Sequence, residues 1–158
     1  MLFRSAFQSF QSYSQQQVDA IVEAMGAAGR ANARHLAELA VQETGMGNVE
    51  DKTAKNMLNA DLLVRSIRGV KTVGVIRERA EDKVIEVGTG VGVVAAILPT
   101  TNPTSTAIYK SIISLKAGNA VVLSPHPRAK ACTCKTAALM IEAARSAGAP
   151  EGLIQCIG

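Results

Sequence analysis

The sequence predicts an α/β protein in which several helices precede a parallel β-sheet. Apolar residues recur at helical spacing through the first third of the 158-residue chain and then give way to short apolar runs. From residue 91 onward the pattern is strand, helix, strand, helix, strand, with short connections. Such a pattern is typical of parallel strands joined by right-handed crossovers. We therefore predict a βαβαβ unit over 91–158, which amounts to half of a Rossmann-like sheet and makes the domain incomplete.

Composition and charge argue against several functional classes. Aromatic residues make up 3% of the chain and tryptophan is absent, which leaves few stacking surfaces for single-stranded nucleic acid. The net charge of +4 is mild, and the basic residues from Lys52 to Lys83 are interspersed with acids. They indicate a solvated surface and no nucleic-acid partner. No apolar run is long enough to span a membrane, so we expect no membrane partner.

The N-terminal third is predicted to be helical after a short leader. Residues 1–13 are rich in Ser and Gln and are expected to form a disordered leader. A capping box formed by Ser14 and Gln17 opens the helical region, which is predicted over 14–67. Asn48 is expected to cap its last helix.

Short strands are predicted over 70–98. Segments 73–76 and 83–87 have strand-like composition, and the charged segment 77–82 is expected to be the loop between them. The glycine-rich segment 88–92 invites comparison with a dinucleotide-binding loop. That motif needs a helix after its glycines, whereas an apolar strand follows here. We therefore interpret these glycines as a flexible strand junction or a β-bulge.

The first turn of the βαβαβ unit holds the most polar candidate residues. A buried strand stops at Pro99, and Pro103 presets the dihedral angle of a first helical turn, so Asn102 occupies a helix N-cap position. Ligands of open α/β sheets bind at the carboxyl ends of the strands, where this turn lies. Asn102 can therefore be a cap, or it can donate its amide to an oxygen that gains charge during a reaction. The residues alone leave both roles open.

The second strand of the unit ends in a stiff loop over 124–128. Two prolines fix where His126 and Arg128 point, and the loop can contact phosphate or ribose or can be an exposed rigid turn. His126 has no evident acid or nucleophile beside it, which argues against a role as a general base. A long helix is predicted over 127–147 and a third strand over 153–157.

The three cysteines show no disulfide or zinc spacing and favour a reduced, cytoplasmic setting. Cys132 and Cys134 lie two residues apart on the long predicted helix and point in different directions, which disfavours a metal site or a dithiol. Cys156 lies in an apolar strand and is expected in the core. None has the neighbouring base or cationic surroundings of an activated nucleophile.

Three motifs, in order along the chain, are similar to those of one enzyme family. They are Glu43-Thr44-Gly45-Met46-Gly47 with Val49-Glu50-Asp51-Lys52 and Lys55-Asn56; Pro99-Thr100-Thr101-Asn102-Pro103-Thr104-Ser105-Thr106-Ala107; and Ser124-Pro125-His126-Pro127-Arg128-Ala129-Lys130. From about Ser14 onward the chain resembles the CoA-acylating aldehyde dehydrogenases. Within them it is most similar to the acetylating acetaldehyde dehydrogenases, including the dehydrogenase half of the bifunctional aldehyde-alcohol enzyme.

The resemblance implies an oxidoreductase that oxidises a short-chain aldehyde with NAD and coenzyme A, reversibly, to an acyl-CoA. In that family NAD binds a Rossmann-like domain and a cysteine attacks the aldehyde. Hydride transfer to the nicotinamide leaves a thioester on the cysteine, and CoA then takes the acyl group and releases the cysteine. The resemblance implies that Asn102 stabilises the oxyanion. It places the cofactor at two segments, the nicotinamide at Leu98, Pro99, Thr100 and Thr101, and the adenosine ribose at Ser124, Pro125, His126 and Pro127.

By resemblance, residues 14–158 are the N-terminal part of the NAD-binding domain, and the nucleophilic cysteine lies beyond Gly158. The isolated chain is therefore expected to be inactive, and the full-length protein is expected to be a homo-oligomer. A second hypothesis is a truncated, non-catalytic paralogue that binds nucleotide or pairs with full-length subunits. The identity of the aldehyde is not determined by these residues. The choice between NAD and NADP is also open, since Arg128 or Lys130 could reach the 2′-phosphate of NADP.

Overall fold

The computed structural model describes residues 2–158, and side chains from residue 3 onward. The helices and strands, in chain order, are α1 (Leu2–Phe10), α2 (Gln15–Ala31), α3 (Ala33–Thr44), α4 (Val49–Met57), a π-helical segment (Leu58–Leu62), α5 (Leu63–Ile67), β1 (Gly74–Arg79), β2 (Val84–Gly88), β3 (Val93–Ile97), α6 (Pro103–Lys116), β4 (Ala120–Ser124), a 3-10 turn (Pro127–Ala129), α7 (Lys130–Ser146) and β5 (Ile154–Cys156).

The prediction of a disordered leader over 1–13 is wrong for the described residues, because most of that segment is helix α1. Ala6 and Phe10 are buried in the main core, with Phe10 only 2% exposed. The Tyr13 hydroxyl donates to the carbonyl of Gly148 at 2.7 Å and so holds the end of the segment. Apolar residues spaced four apart supply the helical signal that the Ser- and Gln-rich composition obscured. Met1 lies outside the described residues.

The predicted helical region is confirmed over its length. The Ser14 Oγ accepts from the Gln17 N–H at 3.3 Å, and the Gln17 Oε1 accepts from the Ser14 N–H at 2.9 Å, which completes the capping box of α2. The Asn48 side chain caps α4 by accepting from the Asp51 N–H at 2.8 Å. This last helix continues through the π-helical segment into α5, so a local π-bulge interrupts one continuous helix.

The βαβαβ prediction is also confirmed. Strands β3, β4 and β5 lie side by side in that order and are parallel, with α6 and α7 as the two connections. Right-handed crossovers between consecutive neighbours put both helices on the same face of the sheet. Helix α2 packs onto α6 and α7 as an outer layer. The opposite face leaves β3 side chains open, and Ile97 is 77% exposed.

Strands β1 and β2 form a separate antiparallel ribbon, and here one boundary prediction is wrong. Residues 77–79 extend β1 instead of forming a loop, and the turn is confined to 80–83. Arg79 pairs with Asp82 at 3.1 Å and with Glu86 at 3.3 Å. Charged residues fit this ribbon because it is largely solvated on both faces.

The glycine-rich segment 88–92 is a junction between the two sheets, as predicted, and close backbone contact explains its composition. A Cβ on Gly90 would lie 2.1 Å from the carbonyl oxygen of Gly118. A Cβ on Gly88 would lie 2.4 Å from the carbonyl oxygen of Thr72. Glycine is therefore required at both positions for packing, independently of any nucleotide.

The prediction that the cysteines form no disulfide is wrong. Cys134 on α7 and Cys156 on β5 form one, with their Cα atoms 5.7 Å apart, which is an ordinary separation for such a bond. The two elements are neighbours in the βαβαβ unit, so a sequence separation of 22 residues becomes a direct contact. Cys132 is free and buried.

The described residues contain neither a helix long and apolar enough to cross a membrane nor a group of three or more potential metal ligands.

Candidate functional site

The two predicted site segments leave adjacent parallel strands at the same edge of the sheet. Strands β3 and β4 are in register, with Ile97 opposite Ser124. The Leu98 N–H then donates to the Ser124 carbonyl at 2.9 Å, one step beyond the ladder. The structure therefore brings the turn 99–102 and the loop 124–127 together, as expected for the carboxyl ends of neighbouring strands.

The residues of the first segment differ in what they present. Leu98 is buried and packs in the main core, so it supports the turn from inside. Pro99 and Thr101 are exposed and Thr100 is half-buried. The surface that this segment offers to a ligand consists of the latter three residues.

The second segment is an open loop that leads into α7. Ser124 and Pro125 are half-buried, whereas His126 and Pro127 are exposed. The Nδ1 of His126 accepts from the Arg128 N–H at 3.1 Å and so caps the 3-10 turn. This bond fixes the ring and leaves the Nε2 as the nitrogen available for other contacts.

Asn102 occupies the N-cap position of α6, yet within the described residues its side chain caps none of the helix N–H groups. Its backbone carbonyl accepts from the Thr106 N–H at 3.1 Å, as in any helical first turn. The side-chain Oδ1 instead accepts from the Lys55 Nζ at 3.1 Å, and the Nδ2 lies 3.4 Å from the Thr101 Oγ1. The role of side-chain cap is thereby removed, and the half-buried amide keeps donor capacity.

A row of polar side chains on one face of α4 and the π-helical segment holds this turn. We call it the α4 stripe, and it consists of Lys52, Lys55, Asn56 and Asn59. Their spacing of three, four and seven residues places them on the same side of a helix. Each reaches the segment 101–105 through a hydrogen bond, so the stripe and the turn form one polar interface.

Lys52 is the buried cation of the stripe. Its Nζ donates to the carbonyl of Thr101 at 2.7 Å, and the residue is only 5% exposed. Burial, with a smaller contribution from the charge of Lys55, lowers the pKa of Lys52 below its ordinary value. The prediction that this lysine belongs to a solvated surface is therefore wrong.

The two asparagines of the stripe are connected to α3 and α6. The Asn56 Nδ2 donates to the carbonyl of Ala33 at 2.8 Å, and its Oδ1 accepts from the Thr104 Oγ1 at 2.9 Å. The Asn59 Nδ2 donates to the carbonyl of Ser105 at 3.0 Å. Sequence reasoning missed these contacts, although four polar residues on one helix face are a visible signal. Their partners lie 46 to 49 residues away on α6 and the turn before it, or 23 residues away on α3.

An open cleft of about 590 Å³ lies between α3 and α7 and includes none of the predicted site residues. It is lined by His35, Leu39, Gln42, Glu43, Ala131, Cys132 and Lys135. The carboxylate of Glu43 accepts from the Ala131 N–H at 2.8 Å and from the Cys132 N–H at 2.7 Å, so it caps the start of α7. The cleft is therefore bordered by a structural contact between two helices.

Cys132 beside this cleft is not an activated nucleophile. Burial, reinforced by the neighbouring carboxylate of Glu43, raises the pKa of the Cys132 thiol to about 12. The thiol is protonated at neutral pH, and a thiol in that state is a poor nucleophile. Because Cys134 and Cys156 are bonded to each other, the structure agrees with the prediction that none of the three is reactive.

Comparison with known proteins identifies the family. A model of the aldehyde dehydrogenase family matches residues 3–158. The chain belongs to the aldehyde dehydrogenase family. It is 44% identical over 151 residues to the bifunctional aldehyde-alcohol dehydrogenase AdhE of Escherichia coli (strain K12), an alignment that covers 96% of this chain and 17% of that protein.

Solved structures of the family have the same fold over this length. An acetylating aldehyde dehydrogenase from Geobacillus thermoglucosidasius is 52% identical, with a TM-score of 0.96, over 98% of this chain and 34% of that one. An engineered glycolyl-CoA reductase with bound NADP+ is 31% identical, with a TM-score of 0.80, over 98% of this chain and 35% of that one. This chain thus spans about a third of the length of each of these two solved chains. Its homologues are CoA-acylating oxidoreductases, which confirms the resemblance.

Proposed function

We propose that this chain supplies the cofactor side and the oxyanion-stabilising amide of an NAD-dependent, CoA-acylating aldehyde dehydrogenase. The reaction is the reversible oxidation of a short-chain aldehyde with coenzyme A to an acyl-CoA. The observation that carries the proposal is the Asn102 amide, which lies at the carboxyl edge of the parallel sheet and is not used to cap α6. The homologues named acetylating aldehyde dehydrogenase and aldehyde-alcohol dehydrogenase support it.

In this proposal the described residues bind and orient, and the nucleophile is a cysteine that we place beyond Gly158. A nicotinamide cofactor, when bound, supplies the hydride acceptor. Pro99, Thr100 and Thr101 form the surface beside its nicotinamide, and residues 124–127 hold the adenosine ribose. These segments fit such a group because they meet at one open edge of the sheet.

Asn102 acts where charge develops. Attack of a thiolate on the aldehyde carbon turns the carbonyl oxygen into an anion, and the Nδ2–H of Asn102 donates to that oxygen. Donors of this kind typically stabilise the transition state by about 3 kcal/mol. In the full-length protein we therefore expect Asn102→Ala to lower kcat by about 10² to 10³-fold, as other losses of one such donor do.

Steady-state kinetics check this expectation, with Asn32→Ala as the matched control. Asn32 also hydrogen-bonds through its side chain, to the carbonyl of Ala28 at 2.9 Å, but it lies at the junction of α2 and α3. Its replacement should leave kcat unchanged. An Asn102→Ala enzyme with the kcat of the parent would remove the catalytic role from this amide.

Cofactor binding by the chain itself is measurable without activity. A ligand that binds only the folded state stabilises it by about 2.7 kcal/mol at a hundred times its Kd. We expect NAD to raise the unfolding midpoint of the 158-residue chain. The purified chain should form no NADH from aldehyde, NAD and CoA. Aldehyde- and CoA-dependent NADH formation by it would show that a nucleophile lies within these residues.

A second candidate is a non-catalytic paralogue that binds nucleotide or pairs with full-length subunits. Exposed apolar side chains favour it, since Ile85, Val87 and Ile97 are all more than half exposed and can pack against another chain. Light scattering of the chain mixed with a full-length subunit discriminates the two candidates. Stable mixed oligomers support pairing, whereas separate species exclude it.

A further inference from the structure

We infer that Lys55 is a positioning residue for Asn102, and that its ammonium sets which end of the side-chain amide faces the reacting oxygen. The inference rests on the proposed function, because an oxyanion at Asn102 is what a fixed orientation serves. The contact that carries it is the hydrogen bond from the Lys55 Nζ to the Asn102 Oδ1 at 3.1 Å.

The chemistry of the two groups allows one orientation only. An ammonium has three donors and no acceptor, so the atom that faces it must be the amide oxygen. An amide rotated by 180° would place its NH2 group against the ammonium and would present the Oδ1 to the oxyanion. That arrangement loses the hydrogen bond and sets two negative partial charges together. With Lys55 in place, the Nδ2 is the end that stays free to donate.

Lys55 can serve this purpose because its helix is fixed to the same turn. Asn56, the next residue, is 0% exposed and is hydrogen-bonded on both its amide atoms. One turn earlier, Lys52 holds the carbonyl of Thr101, the residue before Asn102. The stripe therefore fixes the backbone of the turn relative to the base of the Lys55 side chain. Lys55 itself reaches the side-chain amide of Asn102.

Orientation is the main effect, ahead of the charge of Lys55. The residue is exposed, and charges in solvent are screened over about 8 Å at physiological ionic strength. A hydrogen bond from a cation also polarises the amide and makes its N–H a better donor. Both effects pass through Asn102, so neither survives when that amide is removed.

The first test is spectroscopic and uses the 158-residue chain as it is. In ¹H–¹⁵N spectra, Lys55→Met should shift the resonances of the side-chain NH2 pair of Asn102. It should also speed the rotation of this side-chain amide, because the ammonium no longer fixes the amide oxygen. Lys55→Arg should keep both signals near their wild-type positions, since a guanidinium also only donates. Lys135→Met, an exposed lysine of α7, is the control for loss of one charge and should leave the pair unmoved.

The backbone spectra of the same samples report whether each variant is folded. If Lys55→Met does not fold, Lys55→Leu, which likewise has no hydrogen-bond donor, takes its place in the comparison. An Asn102 NH2 pair that is unchanged in a folded variant lacking the ammonium would overturn the inference.

The second test is kinetic and uses the full-length protein. Lys55→Met should lower kcat about tenfold, which corresponds to one hydrogen bond of about 1.4 kcal/mol, with the KM for NAD unchanged. Lys55→Arg should restore most of the rate. In an Asn102→Ala background, Lys55→Met should have no further effect, because the group that it orients is gone.

These outcomes separate the inference from the proposed function. If Asn102→Ala leaves kcat unchanged, the proposed function fails. If Asn102→Ala lowers kcat and Lys55→Met does not, the inference alone fails. Additive losses in the double variant also count against it, because they would mean that Lys55 acts on something other than Asn102.

Discussion

Single glycines in this chain are required by close backbone contact and not by a bound phosphate. The segment 88–92 carries three glycines at alternate positions, a pattern that invites comparison with a nucleotide loop. A strand follows these glycines where the nucleotide-binding motif needs a helix, which disfavours that interpretation. The structure shows why glycine is needed at these positions. Gly88 and Gly90 lie where a Cβ would overlap the backbone of Thr72 and Gly118.

Gly90→Ala should therefore destabilise the fold. The added Cβ would lie 2.1 Å from the Gly118 carbonyl oxygen, so one of two backbone segments must move. We expect the free energy of unfolding to fall by about 2 kcal/mol, within the usual range for overpacking. Urea denaturation measures it. Gly158→Ala is the control, because its Cβ would meet nothing within 4 Å, and equal stability of the two variants would contradict the prediction.

Glu43 gives the stability of the chain a dependence on pH. Burial alone would raise the pKa of its carboxyl group, but hydrogen bonds from Cys132 and Ala131 outweigh burial and lower it below the ordinary 4.5. A folded-state pKa below the unfolded one means that the unfolded chain binds the proton more readily. The stabilisation is therefore present above about pH 4.5 and is lost as the pH falls through the folded pKa.

We expect Glu43→Gln to be less stable than the parent at neutral pH, and the difference to shrink below about pH 4. Denaturation curves at several pH values measure this convergence. Glu38→Gln on the same helix is the control, because Glu38 makes an exposed pair with Arg34 at 3.2 Å, and such pairs contribute little. A constant difference between Glu43→Gln and the parent across this pH range would contradict the assignment.

At the scale of elements, polar residues on helix faces make more of the contacts between helices than the composition of the chain indicated. The α4 stripe is the clearest case, because it joins α4 and the π-helical segment to the first turn of α6 through side chains. Lys52 and Lys55 count as surface charge in a composition argument. In the fold, one of them is buried and both are committed to the candidate site.

Asn56→Leu should weaken the contact of α4 with α3 and α6. The substitution leaves the carbonyl of Ala33 and the hydroxyl of Thr104 without their side-chain partner, and an unsatisfied buried polar group costs about 1–3 kcal/mol. We expect a loss of about 2–4 kcal/mol in the free energy of unfolding.

Thr53→Val is the matched control on the same helix, since the Thr53 hydroxyl bonds only locally, to the Val49 carbonyl at 2.7 Å. Chemical denaturation compares the two. If the Asn56→Leu protein is as stable as the control, the stripe is not a structural connection.

Two element predictions failed for the same reason. Composition placed a leader at 1–13 and a loop at 77–82, and in both segments polar or charged residues obscured regular structure. Helix α1 forms because its apolar residues pack on the core, and β1 continues through Arg79 because β2 pairs with it. Polar composition indicates exposure, and exposed segments can still be helix or strand when a neighbour supplies hydrogen bonds or packing.

At the scale of the whole molecule, the disulfide ties the last strand to the helix that precedes it. The separation of 22 residues between Cys134 and Cys156 corresponds to about 3 kcal/mol of stabilisation in the loop-entropy estimate. We expect dithiothreitol to lower the unfolding midpoint of the parent chain. Cys134→Ser should have the lower midpoint already and should not respond to the reductant. A parent chain that is indifferent to reductant would contradict the prediction.

The sequence by itself determined the order of the elements from Ser14 onward. Caps at Ser14 and Asn48, apolar periodicity and short connections are local signals, so the helical region and the parallel βαβαβ unit could be predicted. The same logic located both edges of the candidate site, at Asn102 and at 124–127, because the carboxyl ends of adjacent parallel strands must meet.

Only the tertiary structure decided which side chains from distant parts of the chain meet. Lys55 and Asn102 are 47 residues apart in the chain, and Glu43 and Ala131 are 88 apart. Cys134 and Cys156 also meet through packing alone. Contacts of this kind depend on how one helix lies against another, to within an ångström. Periodicity and capping signals extend over a turn or two of chain and carry no information at that range.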